Sequence, residues 1–133
     1  MPAIDNKAVV RRIYDDLWNA GHLAVADEIF VNAEGVKRYI HSFRAAFSDL
    51  HHTVDELVAE GDTVVARWTA HGTHTGQWHS LAATNQVVTF TGITIAHLVN
   101  GKIADHQTLW DTLALLEQLG VVPQIRKADG SRL

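Results

Sequence analysis

Apolar residues recur with a helical period over the first third of the chain and with a period near two over most of the rest, and that switch sets the fold. From Asp5 to Asn19, the residues Val9, Val10, Ile13, Tyr14, Leu17 and Trp18 fall on an i, i+3/i+4, i+7/i+8 stripe, which predicts an amphipathic helix. Asp5 or Asn6 can cap its start, and Gly21 can take the left-handed position that closes it. A short second helix is predicted from Leu23 to Phe30 around Val25, Ile29 and Phe30. Val36, Tyr39, Ile40, Phe43, Ala46 and Phe47 form the stripe of a third helix over Ala33 to Phe47, with Asn32 as its nearest cap and Gly35 in its first turn.

Past Ser48-Asp49 the pattern alternates. His51 to Val58 and Thr63 to Thr75 predict two strands joined at Glu60-Gly61-Asp62, followed by a polar loop from Gly76 to Gln86 that contains Trp78. Two further β-rich runs begin at Val87 and meet at Asn100-Gly101. Asn-Gly is the pair that best tolerates the positive φ required at both centres of a type I′ turn, so the runs predict a hairpin. A short amphipathic helix follows from Thr112 to Leu119, with Asp111 before it. Three helices, four strands and a short helix imply an α+β fold in which a curved antiparallel sheet wraps around a helix and closes on a cavity.

Composition narrows the class without changing that picture. The 133 residues fit one domain, with a core over about 6–120 and a tail over 121–133. Hydrophobic residues at 47% and charged residues at 20% are those of an ordinary globular protein. A net charge of −4 with scattered Lys and Arg gives no footprint for nucleic acid, and no apolar run reaches the length of a membrane span, so the expected location is cytoplasmic. There is no cysteine, which removes thiolate catalysis and Cys-based metal sites. His71, His74 and His79 have an i, i+3 spacing in part, but in strand and loop this spacing does not gather ligands as it would on a helix. No metal is expected, and His51-His52, at the start of a strand, is expected to be solvated.

The segments VVRRIYDDLWNAG, EGVKRYIHSFRAAFSDL, EGDTVVARWTAHGTHTG, VTFTGITIAHLVNGKIADH and WDTLALLEQLG, in that order, resemble the SnoaL-like polyketide cyclases of the nuclear-transport-factor-2-like superfamily, from about Asn6 to Gly120. The resemblance implies a cone with a deep apolar pocket and a homodimer formed through the outer face of the sheet. It also implies an intramolecular aldol ring closure on a small hydrophobic molecule, without metal or organic cofactor. That chemistry needs a base for an acidic C–H proton and a donor for the enolate oxygen. The family pattern has a His on the penultimate strand and an Asp on the last one, and those positions here are Thr94 and Thr108. A further strand and loop that members carry between the second and third helices is missing at Phe30-Val31, through a deletion or through a segment absent from the sequence. An Asp-Arg-Asp arrangement for epoxide hydrolysis is excluded, since Arg67 is followed by Trp68 and Thr69.

Strand parity then selects candidate site residues. If Thr94 and Thr108 face the cavity, so do Phe90 on one strand and His106 and Trp110 on the other, and His97 faces outward. His106 is the candidate base, as a neutral imidazole, or else a structural histidine of the sheet. Asp111 is the second catalytic candidate, against its alternative as the N-cap of the last helix. Tyr14, Trp18, Phe43 and Phe47 are core residues that can also wall the cavity, with the Tyr14 hydroxyl able to orient a carbonyl. Trp68, between Ala66 and Ala70 on its face, would form the floor. Two functions remain open: a cofactor-independent enzyme of carbonyl acid–base chemistry, and a protein that only binds a small hydrophobic ligand.

Overall fold

The computed structural model describes residues 5–121 and 128–129, so most of the tail expected over 121–133 lies outside the described residues. Helix α1 (Asn6–Arg12) starts where the Asp5 carboxylate accepts a hydrogen bond from Ala8 N, at 3.2 Å. The regular helix predicted as far as Asn19 is not what forms. After Arg12 the chain widens into a π-helix, Ile13–Asn19, with Ala20 N bonding back five residues to Asp15 O. Gly21 closes it at φ 72°, and the Arg44 guanidinium donates to the terminal carbonyls of Trp18 and Asn19.

The second helix is shorter and mixed, a 3₁₀ turn at Leu23–Val25 running into α2 (Ala26–Ile29). Helix α3 (Glu34–Ala46) has no side-chain cap, so Asn32 does not serve as one. The strands are β1 (His51–Glu60), β2 (Thr63–Thr73), β3 (Val87–Val99) and β4 (Lys102–Trp110), and helix α4 (Thr112–Gln118) follows. They form one antiparallel sheet in the order β1-β2-β3-β4. Asn100 and Gly101 carry the positive φ values, 52° and 78°, that the hairpin requires.

The inner face of the sheet covers the helices. Along β3 every second residue is buried: Val88, Phe90, Thr94, Ala96 and Leu98 point inward, with Gly92 among them. Val64, Ala66, Trp68 and Ala70 do the same on β2, against Val10, Tyr14, Leu17, Ile40 and Phe47 from the helices. Gly92 is a steric requirement of this face: a Cβ there would lie 2.3 Å from Trp68 Cζ2 and 2.8 Å from Trp110 Cβ. Beyond Phe30 the chain reaches α3 in three residues. Among the described residues, all that pairs along this edge is the Phe30–Ile103 parallel bridge, with Val31 N bonding Ile103 O at 3.0 Å. The inward residues Ala104, His106 and Thr108 of β4 are therefore exposed.

Candidate functional site

Between the π-helix, α3 and the inner face of the sheet lies a cavity of about 800 Å³, within the usual range for small-molecule sites. Ile13, Tyr14 and Trp18 reach it from the π-helix, Tyr39, Ile40 and Phe43 from α3, Trp68 and Phe90 from the central strands, and Trp110 from the end of β4. The rings meet edge to face and tilted, with Trp18–Phe43 centroids 5.8 Å apart and Phe90–Trp110 5.2 Å apart. Each ring is held by an element that also forms the core, so wall and core are one structure.

Polar groups interrupt this wall, and Asn32, Glu34, Arg38 and Asp105 also line the cavity. Thr94 and Thr108 face each other across β3 and β4, with their hydroxyls 3.0 Å apart, and Thr94 Oγ1 also accepts from Trp68 Nε1 at 3.2 Å. This pair is neutral, and the one hydrogen bond between the two hydroxyls leaves one of their O–H groups free to donate. Deeper in, Tyr14 and His52 line the cavity while Tyr14 Oη and His52 Nδ1 are buried without hydrogen-bond partners. Burial pushes the Tyr14 phenol up to about 12, against a smaller opposite pull from the nearby Thr94 hydroxyl. Burial likewise pulls the His52 imidazole down to about 3, helped by His51 and His71.

His106 stands at the mouth, its ring centroid 5.3 Å from that of Phe30. Partial desolvation holds its pKa below the ordinary histidine value, with Asp105 pulling the other way. Glu34 and Asp105 supply the carboxylates among the cavity-lining residues, and each has a partner: Glu34 lies 3.7 Å from Lys37, and Asp105 2.6 Å from His97 on the outer face.

His106, Thr94, Thr108, Tyr14, Trp18, Phe43, Trp68, Phe90 and Trp110 are thus brought to one cavity. Two candidates are not. The Asp111 carboxylate accepts from Ala114 N at 2.9 Å and caps α4, and the residue does not line the cavity. Phe47 is fully buried in the core, stacked between Phe43 and His74. His52 was missed, since the strand start was expected to be solvated. Its pairing opposite Ala70 turns it inward, while His51, opposite His71, faces out. The remaining histidines do not converge. His74 is buried and pairs with Thr84 Oγ1 at 2.9 Å, holding the 76–86 loop, and no metal-holding group of three or more ligand side chains occurs among the described residues.

A curved antiparallel sheet wrapped on a broken N-terminal helix, with a cavity between them, defines the class to which the chain belongs. The model of the SnoaL-like polyketide cyclases matches residues 8–119, and the chain is a member of that family. Among solved structures, TsrD from Streptomyces laurentii is similar at 27% identity and TM-score 0.78, over 87% of this chain and 98% of that one. AclR from Streptomyces galilaeus matches at 24% identity and TM-score 0.81, over 96% and 88% of the two chains. A SnoaL-like polyketide cyclase from Agrobacterium tumefaciens matches at 18% identity and TM-score 0.72, over 90% and 100%. No curated protein matches the chain at a significant level.

Proposed function

We propose that the chain takes a small, largely apolar carbonyl compound into the cavity and carries out cofactor-independent acid–base chemistry on it. His106 is the base, and the hydroxyls of Tyr14, Thr94 and Thr108 are the donors that meet the enolate oxygen. The observation that carries this reading is the position of His106 at the cavity with its pKa held below the ordinary value, which keeps the imidazole in its proton-accepting form at neutral pH. In the reaction the imidazole takes the proton from the carbon next to the carbonyl, the C–H electron pair moves into the enolate, and an O–H donor faces the oxygen where charge develops. Tyr14 and Thr94 are buried among the aromatic rings of the wall, where such a hydrogen bond is stronger than in water. Exchange of the methyl hydrogens of an aryl methyl ketone with solvent deuterium, in wild type and His106→Ala, tests this role.

A second reading is favoured by the Thr94–Thr108 pair. Where the family pattern has an acid–base pair, this chain has two neutral hydroxyls bonded to each other at 3.0 Å. On that reading the cavity only binds its ligand, and the same assay returns binding without exchange. On either reading the chain pairs with a second copy through the outer face of the sheet, where Ile93, Ile95 and Leu109 are exposed side by side.

A further inference from the structure

His52 has no part in the chemistry proposed above, yet it is the most deliberately positioned side chain in the cavity. Asn19, the last residue of the π-helix, grips its backbone at both ends: His52 N donates to Asn19 Oδ1 at 2.7 Å, and Asn19 Nδ2 donates to His52 O at 2.9 Å. The imidazole is then enclosed by rings, with centroids 4.6 Å from Trp18, 4.9 Å from Trp68 and 5.8 Å from Tyr14. The π-helix makes this enclosure, because its wider turn presents Tyr14, Trp18 and Asn19 to one residue of β1. Such local widening of a helix is most often found at functional sites.

Within this enclosure two polar atoms, His52 Nδ1 and Tyr14 Oη, are buried and have no partner in hydrogen-bond geometry, the Thr94 hydroxyl near Tyr14 being engaged by Trp68 and Thr108. A buried polar group left unpaired is destabilising, and folded proteins hold few of them. Phe in place of Tyr14 would fill the same space without that penalty, and Phe in place of His52 would do so with a somewhat larger ring. The two atoms are complementary: a neutral imidazole offers one acceptor nitrogen, and a phenol offers a donor.

We infer that His52 and Tyr14 form the polar floor of the cavity and together receive one uncharged hydroxyl of the ligand, phenolic or enolic, which accepts from Tyr14 and donates to His52. The inference rests on the cavity being the ligand site, and it is independent of whether His106 catalyses anything. The floor selects a neutral group. Both side chains stay uncharged across the physiological range, so neither supplies a full charge to compensate an ionised ligand.

Calorimetric titration of the full chain with naphthalene, 2-naphthol and 2-naphthoate tests the floor, since the three probes share a ring system and differ in the polar group. Wild type is expected to bind 2-naphthol about tenfold tighter than either of the others, the usual worth of filling an unpaired buried polar site. His52→Phe and Tyr14→Phe are each expected to cut that preference below about threefold while leaving naphthalene affinity and the melting temperature unchanged or higher. The inference is overturned if wild type fails to bind 2-naphthol, binds it no better than naphthalene, or prefers the naphthoate. It is overturned equally if both variants keep the preference, or if both lose their fold, which would show that the two groups serve structure. Deuterium exchange that depends on His106 remains separately measurable in every one of these cases.

Discussion

His52 shows how one side chain can be well placed for binding and costly for stability. Its pKa falls from 6.5 to about 3 on folding, so between those values the unfolded chain binds a proton that the folded chain does not. The stability contributed is present in full above 6.5 and is lost as pH falls toward the folded value. Stability from urea denaturation should therefore drop for wild type, relative to His52→Phe, by about 2 kcal/mol between pH 6.5 and about pH 5. Parallel pH profiles for the two proteins would show that the ring is protonated freely and is not enclosed. Tyr14 and Trp18 were legible from helical spacing as core residues able to wall a cavity, and Trp68 from strand parity, while Trp110 followed from the family resemblance that turns Thr94 and Thr108 inward. His52 was not, because β1 shows almost no alternation in its sequence and only the register against Ala70 turns the residue inward. Asp111 carried two readings, with the cap of the following helix the stronger. The backbone decides between them, since the N–H of Ala114 needs an acceptor and the carboxylate supplies it.

At the scale of elements, the strands were readable to within a residue or two and the helices less so. The β2 and β3 segments alternate cleanly, and the turns at Gly61 and Asn100-Gly101, both with positive φ, mark the strand ends. The π-helix was invisible because an apolar stripe with a period of 3.6 tolerates one widened turn without a change of face. Gly92 was equally silent: its reason is the Trp68 ring lying across it from the neighbouring strand. Gly92→Ala should cost about 1–3 kcal/mol in urea denaturation, because the ring or the strand must move. Full stability in that variant would mean that the ring has another place to go. Asp111→Ala should cost about 1 kcal/mol through loss of the cap, with no change in ligand affinity. A large loss of binding would instead return Asp111 to the cavity.

The whole molecule carries two consequences of its missing strand and its bare outer face. With Phe30 as the single bridging residue at the β4 edge among the described residues, the cavity opens beside His106 and Thr108, and on the proposed reading a ligand would enter by this mouth. On the opposite face, Leu109 is 81% exposed and pairs with Ile93, which leaves an apolar patch in contact with water. Sedimentation equilibrium should find a dimer for wild type and a monomer of unchanged fold for the Ile93→Lys, Leu109→Lys double variant. A wild-type monomer at micromolar concentration would remove the dimer from the account.

On the proposed reading His106 acts as a base in this cavity, and exchange of 2-acetonaphthone methyl hydrogens in deuterated buffer, followed by NMR, measures that role. Exchange with wild type should exceed buffer, fall by about a hundredfold or more in His106→Ala, the usual share of a positioned base, and stay unchanged in Asp111→Ala. Equal rates for wild type and His106→Ala would contradict the claim and leave the cavity as a binding site alone.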